Sequence, residues 1–261
     1  MADRKRVLIT GIAGQIGTVV RQALEPTHEV SGVDIKPVEG VPVLVGSMAH
    51  LDAVLPAFEG IDTVVDLANL PAGDTPWDKV YENNIANIWN ALEAARRSGV
   101  KRVVFASSNR ASEGYEFDEP YKSICAGNYH GLTPGGFPLV TAQMPPRPSG
   151  PYGVGKVLGE AAGRYFVDYH GLSVICLRLG TVTRANRPST VRHFATILTH
   201  TDLAQLFTKA VTAPESLRYG VYYGVSNNPW RFWDIEPARR DLGFSPVDTM
   251  EKYRSEWDAT H

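Results

Sequence analysis

Cysteine is nearly absent: the 261-residue chain has two, Cys125 and Cys176, far apart and without metal-ligand spacing or a CxxC pair. That excludes a disulfide-built fold and a thiolate metal centre, so no metal is expected, and it suits a reducing compartment such as the cytoplasm. Long apolar runs are missing too. The run at 7–10 that follows the charged first residues is too short for a signal-peptide core or a membrane span. No surplus of positive charge exists: 26 Lys and Arg stand against 28 Asp and Glu, a net charge of −2 with no long basic stretch. Nothing therefore supplies the field that nucleic acid or an anionic membrane surface requires. Internal repeats and low-complexity tracts are also lacking, which removes solenoids and arrays.

What remains is a chain with 43% apolar residues, enough for one compact domain spanning 1–261. Short apolar runs alternate with amphipathic helical patterns, the mark of an α/β protein with a parallel sheet covered by helices. Strands are expected at 7–10, 29–34, 42–45, 63–67, 102–106 and 173–178, with helices at 15–24, 51–58, 77–98 and 152–169. The near-continuous apolar runs Val103-Val104-Phe105 and Val174-Ile175-Cys176-Leu177 suit strands buried on both faces. The stretch 113–151 breaks the rhythm. It is rich in Gly, Pro and aromatics (Tyr115, Phe117, Tyr121, Tyr129, Phe137), which predicts a packed lid or lobe over the strand ends rather than a free tail. Beyond 178 a helix at 201–211, a strand at 221–225 and a last helix at 234–241 are expected, in a small C-terminal portion (179–261) that receives substrate.

Thr10-Gly11-Ile12-Ala13-Gly14-Gln15-Ile16-Gly17 links the first strand to the first helix, which is the context a dinucleotide fingerprint demands. Its glycines allow a tight turn and a close approach to pyrophosphate, whose charge is received by free N–H groups at the helix N-terminus. Gly11, Gly14, Gln15, Ile16 and Gly17 are thus cofactor-binding candidates. Asp34 ends the second strand, where a carboxylate hydrogen-bonds both ribose hydroxyls and repels a 2′-phosphate. The expected cofactor is NAD.

Tyr152-Gly153-Val154-Gly155-Lys156 sets Tyr and Lys four apart, on one helical face. A neighbouring ammonium favours the phenolate, so Tyr152 is a candidate general base for an alcohol that loses hydride. Ser108 and Asn109 follow a strand at its carboxyl end, the side on which ligands bind in such sheets, and Ser108 is placed to hold the reacting oxygen. Ser108, Tyr152 and Lys156 form the candidate catalytic set.

Together with the stretch 84–96 (Asn84-Ile85-Ala86-Asn87-Ile88-Trp89-Asn90-Ala91-Leu92-Glu93-Ala94-Ala95-Arg96), these motifs resemble the extended short-chain dehydrogenase/reductase superfamily over residues 5–180. The resemblance implies a Rossmann-type doubly wound sheet with NAD bound in the core 5–178. It adds Ser47, Leu67, Ala68 and Asn84 to the cofactor contacts, has Lys156 hold the nicotinamide ribose beside Tyr152, and implies a homo-oligomer formed through the helices at 77–98 and 152–169. Within the superfamily the likeness is to uronate dehydrogenases, through Phe105–Asn109, the approach from Arg147-Pro148 to Tyr152, Arg178-Leu179-Gly180-Thr181, and Thr199–Leu203. That likeness implies oxidation of a sugar at its anomeric carbon to a lactone, with Arg192 clamping the sugar carboxylate and Ser108, Asn109, Arg110 and Thr181 contacting the sugar.

Departures from the pattern bear on the substrate. Pro71 stands for a serine, Arg110 for a histidine, Thr181 for a serine, and Ser47 for the aspartate that contacts adenine. The stretch 113–151 is also longer than in the uronate enzymes. A uronic acid and a neutral aldose both remain open as substrate. The rival readings are a sugar-nucleotide epimerase or dehydratase that returns the hydride, and a non-catalytic NAD-sensing regulator on the same fold.

Overall fold

The structure, a computed structural model, describes residues 4–70 and 75–260. Seven strands, β1 (Arg6–Thr10), β2 (Glu29–Asp34), β3 (Val43–Val45), β4 (Thr63–Asp66), β5 (Arg102–Ser108), β6 (Ser173–Leu179) and β7 (Tyr219–Gly224), form one sheet in the order β3-β2-β1-β4-β5-β6-β7. Every pairing is parallel. The chain reverses direction across the sheet between β1 and β4, and the crevice this opens at the carboxyl ends of the strands is where such sheets bind ligands.

Period-two alternation along the strands builds two cores. Val7 and Ile9 of β1 face the helices Gln15–Leu24 and His200–Val211 in one cluster with Val104, Ile175, Leu177, Leu206 and Phe207. Leu8 faces the other way and packs with Val64, Val103, Phe105, Val174, Ile88, Leu92 and Phe166 beneath the helices Ala86–Arg97 and Gly150–His170. Every residue of β5 and of β6 is buried, as their unbroken apolar runs require.

The helix Gly150–His170 starts with a proline in its first turn and stops at Gly171, whose φ of 69° closes the left-handed C-cap. Gly159 and Gly163 let it lie directly on the sheet: a Cβ at Gly159 would stand 2.6 Å from the Phe105 ring, and one at Gly163 would stand 2.8 Å from Val174.

Two expected helices are broken. The segment 51–58 divides into Leu51–Val54 and a 3₁₀ turn Leu55–Phe58, because Pro56 cannot continue the α-helical ladder. The segment 77–98 becomes Trp77–Lys79, a π-helical stretch Val80–Ile85, and Ala86–Arg97. There Asn84 exchanges two hydrogen bonds with the Leu70 backbone, and Asn87 donates to the Ala68 carbonyl at 2.9 Å. The widened turn thus brings these amides to the loop after β4, a common role of π-bulges at functional sites.

The 113–151 stretch is a packed lobe. Tyr115, Tyr121, Ile124, Phe137 and Val140 share a third core with Tyr223, Val225, Phe232 and Trp233, and Val140 bridges Trp233 in strand fashion. Phe117 does not join it and is 77% exposed. Among the described residues no helix is long and apolar enough to cross a membrane, and no cluster of potential metal ligands occurs.

Candidate active site

A cleft of about 660 Å³ opens at the carboxyl ends of β1, β4, β5 and β6. Gly11, Gly14, Gln15, Ile16, Gly17 and Leu67 line one half, and Ser108, Asn109, Arg110, Tyr152, Lys156, Thr181 and Arg192 the other. One cavity thus gathers thirteen of the residues singled out from sequence. Asp34, Ser47, Ala68 and Asn84 do not line it, and Pro71 lies outside the described residues.

The glycine turn is shaped by backbone geometry. Gly11 has φ +70° and donates to the Val33 carbonyl at 2.8 Å. A Cβ on Gly17 would sit 2.4 Å from the Gly11 carbonyl oxygen and 2.7 Å from that of Ile12, both backbone atoms. The helix then begins at Gln15 with no side-chain cap and no acid in its first turn, leaving its N-terminal dipole available to an anion. Asp34 accepts from Ala13 N at 2.9 Å and from Lys36 N at 3.1 Å, so it fastens the turn from behind. Ser47 accepts from Ala49 N and shapes its own loop, while Ala68 N donates to Thr10 Oγ1. Asn84 braces Leu70 rather than facing the cleft.

Asn69, which the sequence reading passed over, lines the cleft with both side-chain amide atoms buried and unpartnered among the described residues. An orphaned donor and acceptor in a polar cleft calls for a ligand. Only its place just past β4 at the chain reversal would have flagged it. The uncapped helix, the glycine cradle and Asn69 fit a dinucleotide.

At the other half, Tyr152 rises from the helix Gly150–His170 toward the end of β5. Burial pushes its phenol up to about 12, against the pull of the Arg110 charge and of a hydrogen bond with Ser108. Lys156 Nζ lies 5.3 Å from the Tyr152 ring centroid and donates to the Ala106 carbonyl at 2.7 Å. The Arg110 charge favours the Tyr152 phenolate, and the Lys156 ammonium stands beside the same ring. Burial pushes Lys156 down to about 8, while the charges of Asp66 and Glu160 hold it up. Asp66, fully buried at the end of β4, accepts from Thr10 at 2.7 Å, and burial raises its carboxyl to about 6.

Glu160 completes the face begun by Tyr152 and Lys156 at further four-residue spacing, a signal present in the sequence. Its carboxylate takes Arg178 in bidentate fashion, both contacts at 2.8 Å, and Ser107 Oγ at 2.6 Å. Arg178 also donates to Tyr223 Oη at 2.9 Å, Tyr223 donates to Ser112, and Ser112 donates to the Asn109 carbonyl. This buried chain ties the helix Gly150–His170 to β5, β6 and the Ser108-Asn109 turn.

The far wall is built from charges that neutralise one another. Arg192 Nε and one terminal nitrogen hold both oxygens of Glu116 at 2.7 and 2.6 Å, and that nitrogen also donates to Glu113 at 2.9 Å. Its other terminal nitrogen donates to Thr181 and Thr196 at 3.2 and 3.4 Å. Burial opposes the charge on Arg192, but the Glu116 hydrogen bonds and the two carboxylates outweigh it and raise its pKa. Arg110 meets Glu113 at 3.0 Å. His193, beside Arg192 in the cleft, is driven down to about 4 by burial and by that arginine, and is neutral at pH 7.

The model of the NAD dependent epimerase/dehydratase family matches residues 7–208. The L-arabinose 1-dehydrogenase (NAD(P)(+)) of Haloferax volcanii is 34% identical, across 93% of this chain and 96% of its own. An NAD-dependent glucose-6-phosphate dehydrogenase of the same organism is 31% identical over 96% of each. The crystal structure of uronate dehydrogenase from Agrobacterium tumefaciens superposes with a TM-score of 0.82 at 30% identity, covering 98% of this chain and 90% of that one. With the family model matching residues 7–208 and full-length relatives at 30% identity and above, the chain belongs to the NAD dependent epimerase/dehydratase family and NAD is its cofactor.

Proposed function

We propose that this protein is an NAD-dependent sugar dehydrogenase that oxidises the anomeric C1 hydroxyl of a sugar to the lactone, with Tyr152 as general base. The observation that carries the reading is the meeting of Ser108, Tyr152 and Lys156 with the glycine turn in one cleft. Bound NAD⁺ supplies the hydride acceptor and a further positive charge. Tyr152 receives the proton from the anomeric oxygen as the C1 hydride departs. In the open cleft burial keeps the phenol protonated, so its basic form depends on the positive charge gathered around it, that of Arg110 included. Ser108, hydrogen-bonded to Asn109 Oδ1 at 3.2 Å, fixes the reacting oxygen against Tyr152. Lys156, anchored on the Ala106 carbonyl, is placed to hold the ribose next to the nicotinamide.

Homo-oligomerisation through the helices Ala86–Arg97 and Gly150–His170, and a cytoplasmic location, belong to the same proposal. Trp89, Leu158, Tyr165 and Tyr169 are between 41% and 76% exposed on those two helices, an apolar face suited to a second copy of itself.

The test is NADH formation from free sugars by the wild type and by Tyr152→Phe. The variant should lose about 10²–10⁴-fold in kcat while binding NADH as the wild type does. Equal turnover by the two would sink the catalytic assignment, and retained NAD with no net reduction would favour the epimerase chemistry of the family.

A further inference from the structure

We propose that the sugar is a neutral aldose, and that Glu113, backed by Glu116, makes the far wall of the cleft reject sugars bearing a carboxylate or phosphate there. This rests on the dehydrogenase reading above and names its substrate class.

A guanidinium has five N–H donors, and recognition of a carboxylate in bidentate fashion needs two of them free and parallel. In Arg192 all five are engaged by the chain itself: Nε and one terminal N–H by the two Glu116 oxygens, the next by Glu113, and the last two by Thr181 and Thr196. The fork that would receive a uronate carboxylate is already filled by Glu116, whose side chain is 11% exposed behind the wall and which also accepts from Cys125 Sγ. Glu113 stands in the cleft lining in front of it. Two cations, Arg110 and Arg192, face two carboxylates, Glu113 and Glu116. The paired charges of the wall therefore cancel, and Glu113 is the carboxylate among the residues that line the cavity.

An incoming anion finds the Arg192 fork already filled and meets Glu113 at close range, an arrangement that discriminates by repulsion. A hydroxyl meets complementary groups. Glu113 accepts from Arg192 and Ser149 and pairs with Arg110, which leaves acceptor capacity for a sugar hydroxyl, and Thr181 adds a hydroxyl of its own. The lining also holds Lys156, which donates to the Ala106 carbonyl, and Arg184, two residues past Val182, whose carbonyl accepts from Gln15 of the glycine turn.

The experiment is a kcat/KM panel with the full chain at saturating NAD⁺, pairing neutral sugars (L-arabinose, galactose, glucose) with galacturonate, glucuronate and glucose 6-phosphate. Each neutral sugar should exceed its charged counterpart at least tenfold. Glu116→Gln and Glu113→Gln should narrow that ratio at least tenfold, chiefly by lowering KM for the uronates, because each frees part of the Arg192 fork. Wild-type preference for uronates or the phosphate, or a ratio that neither folded variant moves, would overturn the proposal while leaving the dehydrogenase intact. Failure of every sugar to reduce NAD⁺ would overturn the dehydrogenase reading and this inference with it. Should either variant not fold, the wild-type panel decides alone.

Discussion

The bidentate pair of Arg178 with Glu160 joins the helix that carries Tyr152 and Lys156 to β6, and the proposed catalytic geometry rests on it. The two side chains are 2% and 7% exposed, at 2.8 Å, and burial acts against the Arg178 charge until Glu160 and Tyr223 raise its pKa above the ordinary value. Replacing Arg178 by Met strands a buried carboxylate, and replacing Glu160 by Gln strands a buried guanidinium. Each single change should cost about 3–5 kcal/mol, which at about 2–4 °C per kcal/mol lowers Tm by at least roughly 6 °C. The double variant removes both charges, so its loss should fall well short of the sum, with a coupling of about 2 kcal/mol or more. Urea unfolding of the four proteins measures this. Because Glu160 also holds Ser107, and Arg178 reaches Asn109 through Tyr223 and Ser112, folded single variants should show depressed kcat ahead of any change in NADH affinity. Additive losses, or singles that each cost under about 1 kcal/mol as exposed pairs do, would refute the reasoning.

Asp66 should make stability depend on acid pH. Its carboxyl is raised by burial from 3.8 to about 6, so its contribution is fully present below the lower value and is lost as pH rises through the upper. Roughly two pKa units correspond to about 3 kcal/mol. Asp66→Asn keeps an acceptor for Thr10 and should flatten the stability profile across that window; parallel wild-type and variant curves in urea would count against it. Gly17→Ala drives a Cβ against the Gly11 and Ile12 carbonyls and should weaken NADH binding at least tenfold by fluorescence titration, whereas undiminished affinity would show that the turn relaxes freely. Trp89→Glu, on the exposed face where Trp89 stacks on Tyr165 at 6.1 Å, should shift light-scattering mass toward the monomer. An unchanged mass would place the interface elsewhere or remove it.

Sequence by itself determined the layers and the two functional poles. Strand positions follow from apolar alternation that either face of a sheet must satisfy. Gly11, Gly14 and Gly17 announce the turn because few other residues fit its backbone, and Tyr152 with Lys156 shares a helical face at any fold. Local signals fail where partners are distant along the chain. Asn69 gives no sign in sequence of being left without a partner, and the break of the 77–98 helix comes from Asn84 and Asn87 reaching the loop after β4. Arg192 reads in sequence as an available guanidinium for a substrate carboxylate. Only the tertiary structure brings Glu113 and Glu116, nearly eighty residues away, onto its fork. A charge is legible from the residue alone, but whether it is free to act depends on which opposite charge the fold delivers beside it.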